Sequence, residues 1–199
     1  MRAIVDGDRA AFARLLAEDP ALAVAALERG ASRTDTAPYF FEAIRHYAYA
    51  GDTALHIAAA SHRPALVRTL LTRGADVRAK NRRGDEPLHY AVDGGPGNPA
   101  WDPAAQVTTI ERLLAAGGDP NAADKSGTTP LHRAIRNRCA DAVRALLAGG
   151  ADPKRDNGRG SKPIQLAKLT TGKSGSGSPE AKAQQAAIVA MLTGGTSLG

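Results

Sequence analysis

Intramolecular disulfide bonds are excluded for this chain, because its 199 residues include one cysteine, Cys139. A single thiolate is also too few for a multi-cysteine zinc site. Long hydrophobic runs are missing as well: in MRAIVDGDRAAFARLLAEDP, charges interrupt every apolar run before it reaches the length of a secretory signal or a membrane span. We therefore expect a cytoplasmic protein in a reducing compartment, with no membrane partner.

Aromatic residues are scarce at 4%, although hydrophobic residues make up 43% of the chain. Alanine and leucine supply most of the apolar content, so the core must consist of small and aliphatic side chains, which favour helices. These features predict an all-α fold. The abundance of Ala, Arg, Gly and Pro, whose codons are rich in G and C, favours a bacterial source.

An eight-residue pattern recurs four times. It reads GDTALHIA at 51–58, GDEPLHYA at 84–91, GTTPLHRA at 127–134 and GSKPIQLA at 160–167, so the leading glycines are 33, 43 and 33 residues apart. A second apolar element follows each copy: VRTLLTRGADV, IERLLAAGGDP, VRALLAGGADP and a looser VAMLTGG. Each unit is therefore predicted to consist of a helix, a turn and a second helix.

This arrangement resembles the ankyrin repeat family, whose signature is a 33-residue period with T-P-L-H-x-A at the start of the first helix. The resemblance covers residues 51–195. It implies an all-α ankyrin-repeat solenoid of stacked helix-turn-helix units with short finger hairpins. The family resemblance also implies a protein-binding module.

We expect a single domain over residues 1–199. Residues 1–50, which contain GDRAAFARLLAEDPALAVAALERGA and PYFFEAIRHYAYA, are predicted to form a helical N-terminal cap of two or three helices. A cap is required because an end repeat would otherwise expose its stacking face to water. The predicted repeats lie at 51–83, 84–126 and 127–159, followed by a C-terminal capping repeat at 160–195.

The third copy of the pattern shows why these residue types recur. Thr129 suits the helix N-cap, and Pro130 suits the first turn, where no intrahelical hydrogen bond is lost. Leu131 is expected to face the neighbouring repeat. In the second copy Glu86 replaces the threonine, which puts the local hydrogen bond in doubt.

His56, His89 and His132 occupy the same position of the pattern in three successive units. The family resemblance implies that each histidine hydrogen-bonds backbone and the threonine hydroxyl and ties neighbouring repeats together. A row of histidines could instead suggest a metal site. Adjacent helices pack about 10 Å apart, however, and each ligand must approach the metal to about 2 Å. We therefore predict a structural role and no metal.

Other patterns that could indicate catalysis are incomplete. The run TTGKSGSGS at 170–178 ends like a phosphate-binding loop, but Ala167 stands where that loop requires glycine. Cys139 lies near His132, but no third member of a catalytic triad is visible. The sequence predicts no enzyme and no cofactor.

Two units carry extra residues between their helices. The interval from the leading glycine to the glycine after the second helix is 23 residues in the first and third units, but 33 and 35 in the second and fourth. The surplus falls near 94–105 and 172–181. Insertions at the same position of different units project from one side of a solenoid. We therefore expect these two loops to flank Arg136, Asn137 and Arg138.

Trp101, the only tryptophan, lies in the first of these loops. A large aromatic side chain on a loop could anchor a binding partner. It could equally fold back over the aliphatic ends of the nearby helices. The sequence leaves both interpretations open.

The chain has a net charge of +6. A basic groove would steer acidic ligands towards itself. The alternative is that the charges form a solvated surface with no specific partner. We predict a monomeric, non-catalytic module that binds an acidic protein on its concave face and insertion loops. A polyanion or nucleic-acid binder and an enzyme with a pocket under the Trp101 loop are the alternatives. In the related folds the concave face is lined at positions that correspond here to Lys80, Arg82, Arg83, Lys125, Arg136 and Arg159.

Overall fold

Five helix pairs follow one another along the chain. The computed structural model describes residues 1–96, 98, 101–169 and 178–194, and within them the chain forms ten α-helices and one two-stranded sheet. The helices are α1 (Arg2–Val5), α2 (Arg9–Glu18), α3 (Ala54–Ala60), α4 (Pro64–Thr72), α5 (Pro87–Ala91), α6 (Pro103–Ala115), α7 (Pro130–Arg136), α8 (Ala140–Ala148), α9 (Pro163–Lys168) and α10 (Pro179–Thr193). The strands are β1 (Phe40–Phe41) and β2 (His46–Tyr47).

The helix pairs stack into two layers. The first helices α1, α3, α5, α7 and α9 contact one another in sequence, and the second helices α4, α6, α8 and α10 do the same. The core between the layers is continuous and consists mainly of aliphatic side chains, such as Leu55, Leu88 and Leu131 of the recurring pattern. The predicted all-α stack is confirmed, whereas the exact unit boundaries stay a prediction.

The recurring pattern begins each first helix from α3 onwards. At α7 the Thr129 hydroxyl accepts a hydrogen bond from the backbone N–H of His132, and Pro130 occupies the first turn. These two residues satisfy or remove N–H groups that have no partner inside the helix. Leu131 is buried against the core.

The histidines of the pattern connect each unit to the next, and we call His56, His89 and His132 the histidine rail. The backbone N–H of Thr53 donates to His56 Nδ1 at 3.1 Å, so the ring carries its proton on Nε2. That Nε2–H donates to the Asp85 carbonyl at 3.1 Å, one unit away. The equivalent bonds from His89 to Thr128 and from His132 to Ser161 measure 3.1 and 3.3 Å.

Glu86 is the N-cap residue of α5, as Thr129 is of α7, and it keeps part of the role of that threonine. Its backbone N–H donates to His89 Nδ1 at 3.1 Å, so the orientation of this ring is the same as in the other units. The carboxylate lies 3.7 Å from Lys80 Nζ through Oε1. Its other oxygen, Oε2, is buried with no hydrogen-bond partner in the described residues, and burial raises the pKa of Glu86.

The connection between α2 and α3 differs from the others in length. It spans residues 19–53, whereas the corresponding connections at 73–86, 116–129 and 149–162 are less than half as long. Residues 31–50 of this connection form a compact unit that we call the insertion hairpin. Its strands pair antiparallel, with Phe40 opposite Tyr47.

The insertion hairpin corrects the sequence prediction for the N-terminal segment. Helices α1 and α2 are present, but PYFFEAIRHYAYA forms short 3₁₀ turns and the two strands instead of a helix. Arg45 turns the chain with a positive φ of 49°, which no helix accommodates. Aromatic residues favour extended pairing, and backbone bonds from Ala31 to Ala48 and from Ala48 to Tyr39 close the unit.

Acid should act on this fold through its histidines, because burial lowers the pKa of all five of them and that of His46 to about 3. In the unfolded chain they bind protons near pH 6.5. As the pH falls below about 6.5, the unfolded state therefore gains protons that the folded state does not bind, and the histidine contribution to stability is lost.

We expect the NMR resonances of all five imidazoles to titrate at lower pH in the folded protein than in the unfolded chain, and that of His46 to stay unshifted between about pH 8 and about pH 5.5. The same resonances in the urea-unfolded chain serve as the control and should titrate near pH 6.5. An imidazole of the folded protein that titrates there would contradict the burial of that ring.

Candidate functional site

The insertion hairpin lies against the side of the stack formed by the first helices α5 and α7, which we call the inner face. The Arg82 side chain donates to the Ala31 carbonyl through Nη2. The guanidinium groups of Arg82 and Arg83 lie 5.4 and 4.9 Å from the centre of the Tyr49 ring. Cation–π contacts of this kind stabilise by about 0.5–1 kcal/mol each at exposed sites, so they help to hold the hairpin in place.

A buried polar network fixes the base of the hairpin. Asn81 Nδ2 donates to Asp52 Oδ1 and to the Tyr90 hydroxyl, both at 2.9 Å, and that hydroxyl donates to Asp52 Oδ2 at 3.0 Å. The backbone N–H of Tyr49 also donates to Asp52 Oδ2, at 2.6 Å. Burial raises the pKa of both Asp52 and Tyr90. The network therefore joins the hairpin to two successive units.

His46 of the hairpin contacts two residues of the inner face. Its Nδ1 lies 3.3 Å from Asp93 Oδ2, and its ring packs edge-on against Tyr90 with centroids 4.4 Å apart. Burial and the positive charge of Arg133 lower the pKa of His46 to about 3, so the ring is neutral at neutral pH. Its Nε2 is buried without a partner in the described part of the chain.

Arg133 on α7 gathers three carboxylates on the floor of the inner face. Its Nη2 lies 2.6 Å from Asp85 Oδ1 and 3.6 Å from Asp124 Oδ2, and its Nη1 lies 3.7 Å from Asp93 Oδ2. Burial alone would lower the pKa of Arg133, but the three carboxylates outweigh it and raise that pKa. Burial also raises the pKa of Asp93. The Asp85 side chain is only 2% exposed and that of Arg133 14%, so this ion cluster belongs to the scaffold.

Two adjoining cavities lie between the hairpin and the helices. The larger, of about 870 Å³, is bounded by the hairpin, α7, α9 and the connections 116–129 and 149–162. The smaller, of about 610 Å³, lies between the 93–98 segment, the turn after α7 and the start of α10. We call the two together the inner groove, because both are lined by Arg45, His46, Asp93, Arg136 and Asn137.

The structure brings several of the predicted site residues to this groove. Arg83, Arg136 and Arg159 line the larger cavity. Arg136, Asn137 and Arg138 line the smaller one, between Gly94 on one side and Ala181 on the other. This is the neighbourhood that the insertions at 94–105 and 172–181 predict. Residues 97, 99, 100 and 172–177 of those insertions lie outside the described residues.

The remaining predicted cations lie at the edge. Lys80, Arg82 and Lys125 are exposed but do not line either cavity. The floor is also less basic than the sequence suggests, because Asp85, Asp93 and Asp124 cluster there. The inner groove therefore has a rim of exposed cations and a floor on which positive and negative charges pair.

Trp101 packs against the core and is only partly buried. Its indole N–H donates to Gln106 Oε1 at 2.9 Å. The cavity beside it, which Ala43 and Ile44 of the hairpin also line, measures about 50 Å³. Pockets that enclose organic ligands measure about 300–1,000 Å³, so this cavity has room for water only. The role of Trp101 as a partner anchor stays a prediction.

Sequence reasoning missed the residues that the hairpin contributes. His46 and Tyr49 lie in the segment for which the sequence predicts a helical cap, and the pairing of Arg133 with Asp93 joins two residues that are forty positions apart. One signal was available: the interval between the first helical segment and Gly51 is too long for a finger of ordinary length. It indicates an insertion, although not where that insertion packs.

Two further findings concern other kinds of site. In the described ranges, no three His, Cys, Asp or Glu side chains come together in a group that could hold a metal ion. No helix in those ranges is long and apolar enough to cross a membrane.

Comparison with known proteins agrees with the repeats seen in the structure. A family model described as ankyrin repeats (3 copies) matches residues 1–101, about half of the chain. A second, described as ankyrin repeats (many copies), matches residues 113–167. A search of curated proteins found no match. The first match includes α1 and α2, and the division of residues 1–50 into a cap or a repeat stays a prediction.

The ion cluster can be tested by removing the cation that contacts all three carboxylates. Arg133→Met should leave Asp85 with Arg83 alone and should leave Asp93 and Asp124 without their arginine, which should destabilise the protein by about 3–5 kcal/mol. Arg136→Met, three residues further along α7 and exposed, is the matched control and should change stability by less than about 0.5 kcal/mol. Urea unfolding measures both. Equal losses in the two variants would contradict the structural role of Arg133.

Proposed function

We propose that this chain, which belongs to the ankyrin repeat family, captures a partner protein in the inner groove. Ankyrin repeats are generally protein–protein interaction modules. The observation that carries the proposal is the groove itself: two adjoining cavities of about 870 and 610 Å³, formed jointly by the insertion hairpin and the stacked units. Such a concave surface offers a partner more contact area than the flat side of a helix layer.

The charges of the groove favour an acidic partner. The carboxylates of the floor are already engaged by Arg133, whereas Arg136 and Arg159 at the rim are exposed. Among the residues that the structure describes, neither of these two side chains takes part in an ion pair. A cation without a counter-charge attracts an incoming carboxylate, and this attraction raises association rate and specificity. Lys80, Arg82, Arg83 and Lys125 extend the same sign of charge around the rim.

A polyanion is the weaker alternative. Base-stacking sites for single strands need exposed aromatic side chains along a basic track. Of the three tyrosines that line the larger cavity, Tyr90 is buried, Tyr49 is half-buried and Tyr47 alone is exposed. We accordingly propose a protein partner and no nucleic acid, with the chain acting as a monomer and without a cofactor.

Catalysis is the weakest alternative. The one histidine that lines the groove has its free nitrogen buried, and the cavity beside Trp101 is too small for an organic substrate. Burial raises the pKa of the Cys139 thiol to about 12, so it is not a nucleophile at neutral pH. We therefore propose a non-catalytic role.

Partner capture from a cell lysate tests this function. The full chain is immobilised with and without nuclease treatment of the lysate, beside the double variant Arg136→Glu/Arg159→Glu. The control, Arg14→Glu/Arg68→Glu, makes the same charge change at exposed helix positions outside the groove. Arg82 and Arg83 are left intact, because they hold Tyr49 and their replacement would also disturb the hairpin.

We expect one protein to be enriched regardless of nuclease. The groove variant should retain about a tenth of it or less, and the control variant should retain most of it. Nuclease-sensitive recovery of many proteins would instead show a polyanion binder. Equal losses in the two variants would show that overall charge, rather than the groove, is responsible.

A further inference from the structure

The larger cavity presents apolar surface as well as charge. Five large hydrophobic side chains are exposed in the described residues, and three of them, Leu15, Leu22 and Val24, belong to the N-terminal unit. The other two, Tyr47 at 38% and Leu169 at 55% exposure, both line the larger cavity. Tyr47 comes from the hairpin and Leu169 from the end of α9. Exposed apolar groups that share a cavity indicate an interaction site more strongly than isolated ones do.

The repeat places Leu166 and Leu169 beside Arg133 and Arg136. Arg133 and Arg136 follow Gly127 by 6 and 9 residues, and Leu166 and Leu169 follow Gly160 by the same intervals. Since α7 and α9 are in contact, Arg133 and Leu166 occupy equivalent positions on neighbouring helices, and Leu169 directly follows α9 at the position that Arg136 holds at the end of α7. All four line the larger cavity. One unit therefore supplies charge where the next supplies apolar surface.

Arg136 is the cation best placed to act on a ligand. Its hydrogen bond to the Thr128 hydroxyl is long, at 3.4 Å. Burial and the nearby charge of Arg133 lower the pKa of Arg136, and Arg159 adds to this repulsion. Asp124 and Asp93 offset it only in part, because both are also within reach of Arg133. An anion that entered the cavity would relieve the crowding of positive charge.

We propose that the larger cavity recognises a segment of the partner protein in which a large apolar side chain adjoins an acidic one. The apolar side chain lies between Tyr47 and Leu169, and the carboxylate reaches Arg136 and Arg159. This inference rests on the proposed function and gives its partner a chemical description. It also gives the insertion hairpin a role, since the hairpin supplies one wall of the site.

The dimensions and charges of the cavity support this occupant. A volume of about 870 Å³ lies in the range that encloses a drug-sized ligand, equivalent to a few side chains. A basic segment would meet Arg45, Arg136 and Arg159 and be repelled. A purely acidic segment would leave Tyr47 and Leu169 in water. The pairing of an apolar with an acidic side chain satisfies both surfaces.

Selection from a displayed library of random peptides of about twelve residues tests the proposal with no knowledge of the natural partner. The immobilised full chain should enrich peptides in which Asp or Glu lies within three positions of a large apolar residue. A synthetic copy of the best peptide is then measured against four proteins: the parent chain, R136Q/R159Q, L169S and the control L15S. Leu15 is exposed at 42% and lies in α2, outside the cavity.

We expect R136Q/R159Q to bind this peptide about tenfold more weakly. When the acidic residue of the peptide is replaced by its amide, the R136Q/R159Q variant and the parent chain should bind the peptide with equal affinity. L169S should weaken binding about fivefold through lost apolar contact, and L15S should leave it unchanged. Circular dichroism and urea unfolding show that each variant is folded, which is expected because all the replaced side chains are exposed.

The proposal is overturned if no peptide is enriched, if enriched peptides lack the acidic and apolar pair, or if R136Q/R159Q and L169S bind them as tightly as the parent chain. Such a result beside successful partner capture from a lysate would reject this cavity as the recognition site and leave the binding module in place. Failure of the lysate capture would reject the proposed function itself.

Discussion

The hydrogen bond from each histidine of the rail to a carbonyl one unit away is the contact on which the rest of the structure depends. It fixes the distance and rotation between neighbouring units, because both ring nitrogens are engaged and neither can be satisfied elsewhere. The carbonyl that His56 binds belongs to Asp85, whose carboxylate pairs with Arg133. The spacing of the stack thus determines the positions of charges on the inner face.

The buried charges on the inner face fix the positions of side chains more than they stabilise the folded state. Moving ions out of water is costly, and an ion cluster often stabilises no more than apolar residues of the same volume would. The cluster around Arg133 nevertheless has a consequence for binding: it engages the acidic side chains of the floor. The exposed cations of the rim, Arg136 and Arg159, then dominate the charge that an approaching protein meets.

The insertion hairpin shows how a long connection becomes part of a site. A two-stranded hairpin is marginal in water by itself, so this one depends on the surface it covers. Asp52, Asp93 and the two arginines above Tyr49 supply that support. The hairpin and the stacked units together form the inner groove, with the hairpin as one wall and the units as the other. Variation in such a segment can change the ligand without changing the stack.

The sequence alone was enough to predict the stacked helix pairs. Thr129, Pro130, Leu131 and the histidines act within a unit or bond to the residue that follows the leading glycine of the next unit, and the recurring pattern reveals both. It also predicted that Arg136, Asn137 and Arg138 lie near both insertions, and these residues share the smaller cavity with Gly94 and Ala181. The tertiary structure was needed to show that residues 31–50 form a hairpin on the inner face and that Arg133 gathers Asp85, Asp93 and Asp124. Those contacts join residues from different units, and their directions depend on packing that no local pattern encodes.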